Sequence, residues 1–403
     1  AVLAPGAPSA DISADTIIDA TGKIVMPGFI SGHNHLWQSA FRGLAADQEL
    51  YGWLGALHWT YGDLFVDGDF YTFTLHGALE QLSRGITTTY NHSQRLRGSE
   101  SQYMESFQAG LDAPQHFIFS YNANVRQPDA KIISDVDRFV KMANKQIGAS
   151  SLLGVSIHSV GLYTGADKLK VEMQLAQKHQ LTAQIHYLEE YQRRFRERKN
   201  WPMLRAAGAV RDGVTYAHFI HTTDQIITEA AAAGAAMIWN PLSNGRLASG
   251  LVDVPRYLEA GLQIGMGVDG AASADVADPF ENMRMGMYAL RMQHRSATVM
   301  SPIEVLRMHT LATARVLKVD DRVGSLEPGK YADFLLIQPP AGTLFDIAST
   351  LVLATQAADI ESVFVRGQPV VDGGRVPGHD MVALRNDLLT RVARIVAAAE
   401  EAD

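Results

Sequence analysis

The sequence alternates eight short apolar segments with segments of helical periodicity, and this alternation constrains the fold more than any other feature. Apolar residues recur at helical spacing between the strand candidates, for example over residues 75–82, 136–143, 171–179, 224–233 and 280–293. Eight strand–helix units predict an α/β protein built on a closed parallel (β/α)8 barrel of the TIM type. The predicted strands cover residues 27–35, 85–91, 116–122, 152–158, 181–186, 214–218, 235–240 and 263–269.

The regions that flank the predicted barrel have a different pattern. A last barrel helix is predicted over residues 302–317, and the β-rich runs 322–337 and 362–376 follow it, divided by Gly and Pro turns. We expect these runs to form a small β-sandwich with a strand from the other chain end, and residues 381–399 to form an amphipathic helix. The predicted organisation is a small β domain from residues 1–26 and 319–380, a hydrolase barrel from 27–318 and a terminal helix from 381–403.

Composition narrows the range of partners. The formal charge of −8 argues against nucleic acid, because phosphate binding depends on clustered Lys and Arg, and a small molecule is the expected partner. No apolar run approaches the roughly 20 residues of a membrane helix, and the N-terminal residues lack a signal-peptide pattern, so we expect no membrane contact and a cytoplasmic location. The chain contains no cysteine, so any metal must be bound by His, Asp or Glu.

Side chains that can bind a metal lie at the ends of four predicted strands. His33 and His35 alternate along the first strand and therefore leave the same face. His186, His218 and Asp269 end the fifth, sixth and eighth strands, and strand ends meet at one face of a barrel. A catalytic metal needs about three or four protein ligands and an open position, and it lowers the pKa of water from 15.7 to about 7.

Two carboxylates at or near these strand ends are candidates for proton transfer. Asp269 could accept a proton as hydroxide forms beside the metal. Glu189 follows His186 by three residues, which places it near the same site but off the metal, where a proton shuttle is required.

Six motifs in chain order resemble the amidohydrolase superfamily. Within it they are most similar to the branch of hydrolytic deaminases and triazine hydrolases that includes guanine, 8-oxoguanine and S-adenosylhomocysteine deaminases and atrazine chlorohydrolase. The motifs are PGFISGHNH at 27–35, HYLE at 186–189, AHFIH at 217–221, NPLSN at 240–244, GVDGAAS at 267–273 and GSLEPGKYADFLLI at 324–337.

The resemblance implies a role for each matching position. It implies one divalent ion, Zn²⁺ with Fe²⁺ or Mn²⁺ as alternatives, a general acid/base at Glu189, and a charge-stabilising group at His218 that orients the attacking hydroxide. Members with two metals carry a carboxylated lysine at the end of the fourth strand, and this strand has no lysine, so a single ion is expected. The implied ligands of that ion are His33, His35, His186 and Asp269.

The implied substrate is an amino-substituted nitrogen heterocycle such as a purine, pyrimidine or triazine. An aromatic and amide-lined pocket suits such a ring, and the positions expected to contact it are Gln38, Glu80, His158, Trp37 and Ser273. Tyr121 replaces the arginine that S-adenosylhomocysteine deaminases carry for the substrate carboxylate, and Gly270 replaces the asparagine of atrazine chlorohydrolase, which weakens both exact assignments. A homo-oligomer is a further expectation from the family.

Two other functions remain open at this point. The same single-metal site could hydrolyse another C–N or C–Cl bond, such as a cyclic amide or an aryl chloride. A barrel that only binds or assembles is the second alternative, and retention of all four ligands and Glu189 argues against it. His92 and His221 could face the pocket or serve structure, and His58 is expected to be structural.

Overall fold

The fold is seen in a computed structural model that describes residues 16–96, 99–340 and 345–402. The strands are β1 Ile24–Pro27, β2 Phe29–Asn34, β3 Ile86–Asn91, β4 His116–Tyr121, β5 Leu152–His158, β6 Thr182–Tyr187, β7 Val214–His218, β8 Ala236–Trp239, β9 Gln263–Met266, β10 Phe334–Ile337, β11 Ile360–Val365 and β12 Gln368–Asp372. The α-helices are α1 Leu50–Leu54, α2 Asp69–Ser83, α3 Glu100–Asp112, α4 Asp129–Ala143, α5 Gly161–Thr164, α6 Ala166–Lys178, α7 Arg194–Arg198, α8 Trp201–Ala206, α9 Asp224–Ala232, α10 Pro241–Arg246, α11 Val254–Glu259, α12 Pro279–His294, α13 Pro302–Arg307, α14 Thr313–Val316, α15 Ile347–Leu353 and α16 Met381–Glu400.

The predicted barrel is confirmed. Strands β2 to β9 form one eight-stranded parallel sheet in chain order. Most of their residues are buried, as expected of parallel strands covered on one face by helices and filled on the other by barrel side chains. No helix in the described ranges is long and apolar enough to cross a membrane.

The barrel closes where the chain after β9 returns to β2. The backbone N–H of Asp269 donates to the carbonyl oxygen of His33 at 3.1 Å, and the N–H of Val268 donates to Ser31 Oγ at 3.2 Å. A Cβ atom at Gly267 would lie 2.8 Å from the backbone nitrogen and oxygen of His33, closer than real Cβ contacts. Glycine at this position therefore permits the approach that closes the barrel.

The two chain ends form a separate antiparallel sheet, as the sequence predicts. Its order is β1-β10-β11-β12, so the N-terminal strand pairs with the first strand after the barrel, and Ile24 lies opposite Ile337. The described residues show one four-stranded layer of this domain. The domain boundaries that we proposed from the sequence remain a prediction.

The terminal helix α16 forms as predicted and packs on the barrel. Leu388 and Ile395 are buried in one apolar cluster with Phe70 and Phe73 of α2. The guanidinium groups of Arg391 and Arg394 bind Asp69, whose side chain is fully buried. The helix is therefore anchored by an apolar contact and by paired charges at the same place.

The predicted last barrel helix is interrupted. Residues Met308–Ala312 form a π turn between α13 and α14, and Thr310 has non-helical φ and ψ angles of −133° and −105°. His309 Nδ1 lies 3.1 Å from the carbonyl oxygen of Ile30, and Thr313 Oγ1 accepts from the N–H of Met266 at 2.8 Å. These bonds attach the helix to the first and last barrel strands, and a π turn accommodates them.

A buried carboxylate organises the loop after β5. Glu172 of α6 accepts hydrogen bonds from the Ser159 hydroxyl at 2.5 Å and from the backbone N–H groups of Gly161 at 2.9 Å and Val160 at 3.2 Å. Burial raises the pKa of Glu172 to about 7 despite these donors. The side chain of Glu172 therefore fixes the conformation of the loop that follows His158.

We predict that Glu172→Leu lowers the free energy of unfolding by about 3–5 kcal/mol, because three donors lose their acceptor and each costs about 1–3 kcal/mol, partly relieved by relaxation. Glu172→Gln keeps one acceptor oxygen and the side-chain size, so its loss should be smaller. Denaturant unfolding of both variants measures this, and equal stability of the Leu variant and the wild type would contradict the role of Glu172.

The same side chain sets a pH dependence. A carboxyl whose pKa is raised from 4.5 to about 7 by folding is destabilising when ionised, so the wild type should lose stability between those values as pH rises. Glu172→Gln cannot ionise and should lack this part of the loss, which unfolding curves at pH 5 and pH 8 would show.

Candidate active site

A cavity of about 430 Å³ opens at the C-terminal ends of the barrel strands. Its floor is formed by side chains from four strand ends: His35, His186, His218 and Asp269. One wall comes from α1 and the π turn Gly55–Trp59 that continues it. That wall contributes Leu50, Tyr51, Trp53, Leu54, His58 and Trp59.

The structure brings together the four residues expected to bind a metal. Nε2 of His33 and Nε2 of His35 each lie 3.4 Å from Oδ1 of Asp269. The ring of His186 lies 4.7 Å from that of His33 and 5.3 Å from that of His35, measured between centroids. Nε2 of His33 is buried and has no hydrogen-bond partner among the described residues, so it is an orphaned lone pair that a cation would satisfy.

Hydrogen bonds behind the rings fix which nitrogen of each histidine faces the site. His33 Nδ1 lies 2.6 Å from Oε1 of Gln184, whose amide nitrogen donates to Gly32 O at 3.0 Å and Thr215 Oγ1 at 3.1 Å. His35 Nδ1 lies 2.8 Å from a backbone carbonyl oxygen. Since these oxygens only accept, both Nδ1 atoms carry the proton and both Nε2 atoms present lone pairs.

His218 has the opposite arrangement. The side-chain nitrogens of Asn244 and Asn240 lie 2.8 and 3.5 Å from its Nδ1, which therefore accepts. Its Nε2 then carries the proton and faces Oε2 of Glu189 at 3.6 Å and Oδ2 of Asp269 at 3.9 Å. His218 is arranged as a hydrogen-bond donor into the site, whereas His33 and His35 are arranged as metal ligands.

The backbone bends sharply where the strands deliver these groups. Leu188, His218 and Asp269 have positive φ angles of 57°, 70° and 58°, a conformation uncommon for residues other than glycine. The N–H of Leu188 donates to Oε2 of the buried Glu197 at 2.7 Å, which holds the turn that carries Glu189. Strained backbone of this kind is concentrated at functional sites.

Burial determines the protonation of the cluster. It lowers the pKa of His35 to about 4 and that of His218 to about 3, so both rings are neutral at pH 7. Burial would raise the pKa of Asp269, but the close approach of the His33, His218 and His35 rings holds it well below its ordinary value. Burial, with the nearby charge of Asp269, raises the pKa of Glu189 well above its ordinary value. The two carboxyls are thus suited to opposite roles.

The expected substrate contacts divide into two groups. His158 and Ser273 line the cavity. Gln38 is buried beneath it, and its amide nitrogen donates to Oε1 of Gln94, which does line the cavity.

The structure does not bring the other two expected contacts to the cavity. Trp37 is buried in an aromatic cluster with Phe41 and Phe65. Glu80 binds Arg42 and lies 3.6 Å from Arg84. Trp37 was expected at the cavity from its place in the sequence and Glu80 from the family resemblance, but their side chains lie in an aromatic cluster and in charge pairs.

Several residues at the site were not identified from the sequence. His58, expected to be structural, lines the cavity, and so does Arg95, whose guanidinium lies 4.1 Å above the ring of Tyr103 and 2.7 Å from Glu100. The only sequence signal for Arg95 was its place shortly after a predicted strand end. His221 bonds to the carbonyl oxygen of Ser249 at 2.7 Å and does not line the cavity.

We predict that Gln184→Leu weakens zinc binding about 10–100-fold, because it removes the acceptor that orients His33 and fixes its tautomer. Competition with a chromophoric chelator measures the affinity. Gln115→Leu is a matched control, since Gln115 is also buried but its amide binds Ile86 O at 2.6 Å at the start of β4. Equal zinc affinity of the Gln184 variant and the control would contradict the arrangement.

Comparison with known proteins agrees with this architecture. The chain is 30% identical over 383 residues to a 5-methylthioadenosine/S-adenosylhomocysteine deaminase of Desulforudis audaxviator (strain MP104C), covering 92% of this chain and 86% of the relative. It is 27% identical over 401 residues to the protein of the same name from Desulforamulus reducens, covering 97% and 90%.

Two solved structures share the fold. An adenosine deaminase from Xanthomonas campestris with bound zinc superposes with a TM-score of 0.82 at 21% identity, covering 93% of this chain and 87% of that one. A mutant atrazine chlorohydrolase from Arthrobacter aurescens TC1, complexed with zinc and atraton, superposes at 0.83 and 22% identity, covering 95% and 92%. The sequence profile described as "Amidohydrolase family" matches residues 24–370, and the chain therefore belongs to the amidohydrolase family.

Proposed function

We propose that this protein is a metal-dependent hydrolytic deaminase that releases ammonia from an amino-substituted nitrogen heterocycle of the purine, pyrimidine or triazine class. The observation that carries the proposal is the meeting of Glu189, the Nε2–H of His218 and three of the candidate ligands, His35, His186 and Asp269, at the floor of one cavity, with His33 against Asp269. The relatives named as deaminases support the reaction, and they make adenine nucleosides the first substrates to test.

The four ligand candidates fit one divalent ion. Two imidazole lone pairs and a carboxylate oxygen, from His33, His35 and Asp269, lie within 4.8 Å of one another, and His186 lies beside them. An imidazole-rich set with one carboxylate suits Zn²⁺, and also accepts Fe²⁺ or Mn²⁺. When bound, such an ion supplies positive charge that lowers the pKa of water toward neutrality.

Glu189 is proposed to move the protons. Its raised pKa makes it a proton donor toward a ring nitrogen of the heterocycle, and its conjugate base can then accept a proton from water. The same carboxyl is proposed to return that proton to the departing amine and then to take up the proton of the new hydroxyl group as the carbonyl forms, which restores its protonated state. His218 donates from Nε2 toward the developing negative charge, while Asp269 stays anionic.

The cavity walls suit a flat ring. Trp53 and Trp59 come from the 50–59 segment, and Tyr163 also lines the cavity. Trp53 is held in place because its indole N–H donates to Ala272 O at 2.7 Å. Aromatic side chains at such a mouth can stack on a heterocycle, while Asn122 and Ser273 provide polar contacts at its edge.

A cytoplasmic location and a homo-oligomeric state are also proposed, both from the sequence and the family resemblance. Subcellular fractionation and light scattering of the purified protein test them independently of the reaction.

Incubation of the zinc-loaded protein with adenine nucleosides, other aminopurines, aminopyrimidines and aminotriazines is expected to release ammonia from at least one class. Chelation should abolish the release and added zinc should restore it. Mass spectrometry of the product separates deamination from ring opening, which adds water without loss of a fragment, and from dechlorination, which loses chloride. Failure of every amino-substituted ring with a metal-replete sample would contradict the proposal.

Glu189→Gln is predicted to lower kcat about 10²–10⁴-fold, because the amide cannot transfer a proton, while zinc content stays unchanged. Glu190→Gln is the matched control: this neighbouring carboxylate lies 3.4 Å from Arg193 and does not line the cavity, so its effect should stay within a few-fold. Equal losses in the two variants would argue against a specific role for Glu189.

A further inference from the structure

His92, the residue after β3, lies beside the candidate active site and has no part in the proposed reaction. Its side chain is fully buried, and neither ring nitrogen has a hydrogen-bond partner in the part of the chain that the structure describes. An unpaired buried polar group costs about 1–3 kcal/mol, and a neutral imidazole has both a donor and an acceptor to satisfy. Two orphaned nitrogens on one buried ring therefore point to a ligand.

His158, at the end of β5, presents a second free lone pair at the same place. Its Nδ1 lies 2.7 Å from the carbonyl oxygen of Ser93, so Nδ1 carries the proton and Nε2 is an acceptor. The rings of His92 and His158 lie 3.6 Å apart between centroids, and the ring of His186 lies 4.6 Å from that of His92. One nitrogen from each of the three histidines falls within 4.8 Å of the others.

We propose that His92 and His158 form a second and weaker binding site for a divalent transition-metal ion at the edge of the substrate cavity, next to His186. Imidazole ligands without a carboxylate select Zn²⁺, Cu²⁺, Ni²⁺ or Co²⁺ and not Mg²⁺ or Ca²⁺. A neutral imidazole has one lone pair, so while His186 binds the first ion the second ion depends on two imidazoles and is held less tightly.

The position of this second site implies that a bound ion interferes with substrate binding. His158 lines the cavity, so an ion at this site occupies space and a polar contact otherwise open to substrate. The sequence led us to expect one divalent ion, since β5 lacks the lysine that binds a second ion in other members, and the ion proposed here has different ligands. The second ion is an addition that the reaction does not need, and excess metal should inhibit.

The site rests on ligand geometry and does not depend on the proposed reaction. Its test is therefore a metal titration of the full-length protein after removal of metal by chelation. Zn²⁺ and, separately, Co²⁺ are added, bound metal is measured by equilibrium dialysis with elemental analysis, and the Co²⁺ absorption bands report the ligand environment. The wild type is expected to bind two equivalents, the second at least tenfold more weakly.

Variants identify the ligands. His92→Asn and His92→Phe should each bind one equivalent, and His158→Gln should lose the second equivalent as well. His58→Asn is the matched control and should keep two, because His58 is another cavity-lining imidazole whose Nε2 is buried without a partner but which lies outside the three-histidine group. Circular dichroism checks that each variant is folded.

Two results would overturn the proposal: one equivalent in the wild type, or a second equivalent that persists in folded His92 variants. Where a substrate has been found, a second readout is available. Excess Zn²⁺ should slow wild-type turnover and should have at least tenfold less effect on His92→Asn.

Discussion

The return of the chain after β9 to the first barrel strand is the constraint on which the site depends. Asp269 and His33 are more than 200 positions apart in the sequence, and a backbone hydrogen bond of 3.1 Å joins them directly. Because the two backbones are hydrogen-bonded at this point, the carboxylate of Asp269 lies close to the imidazoles at the end of β2. Gly267 makes the approach possible, since any Cβ there would collide with His33. The contact that closes the barrel therefore also brings Asp269 to the histidines of β2.

The groups behind the histidines then give each ring its chemistry. Carbonyl or amide oxygens accept from Nδ1 of His33, His35 and His158, which leaves lone pairs facing the cavity. Amide nitrogens donate to Nδ1 of His218, which leaves a proton facing it. Identical side chains at neighbouring strand ends thereby become acceptors or a donor, and the difference is set by residues that do not line the cavity. The sequence motif NPLSN contributes Asn240 and Asn244, and their contacts with His218 explain its role.

The sequence predicted those parts of the molecule that depend on local pattern. Each barrel strand was found within a few residues, because a buried parallel strand is a short apolar run and its polar end marks the active face. The interruption at Thr310 was not predicted, because it results from hydrogen bonds of His309 and Thr313 to distant strands. Trp37 was expected near the substrate from chain proximity and Glu80 from the family resemblance, but Trp37 packs among aromatic rings and Glu80 pairs with Arg42, and no local pattern predicts these contacts. His58 and His92 carry no local motif, so only the fold reveals that His58 lines the cavity and that His92 packs against the rings of His33 and His186.

The parts that determine substrate choice are those with the weakest sequence signal. The wall formed by residues 50–59 and the turn that carries Glu189 are connected: the guanidinium of Arg193 lies 3.3 Å from the ring centre of Tyr51 and 3.4 Å from Glu190. Tyr51 lines the cavity, and Arg193 follows the β6 turn, so this contact joins the wall to the segment that carries Glu189. A cation–π contact of this kind contributes about 0.5–2 kcal/mol, which is enough to favour one position of the wall but small against the binding energy of a heterocycle. The cavity wall and the segment that carries Glu189 are therefore joined by a contact that lies outside the six sequence motifs.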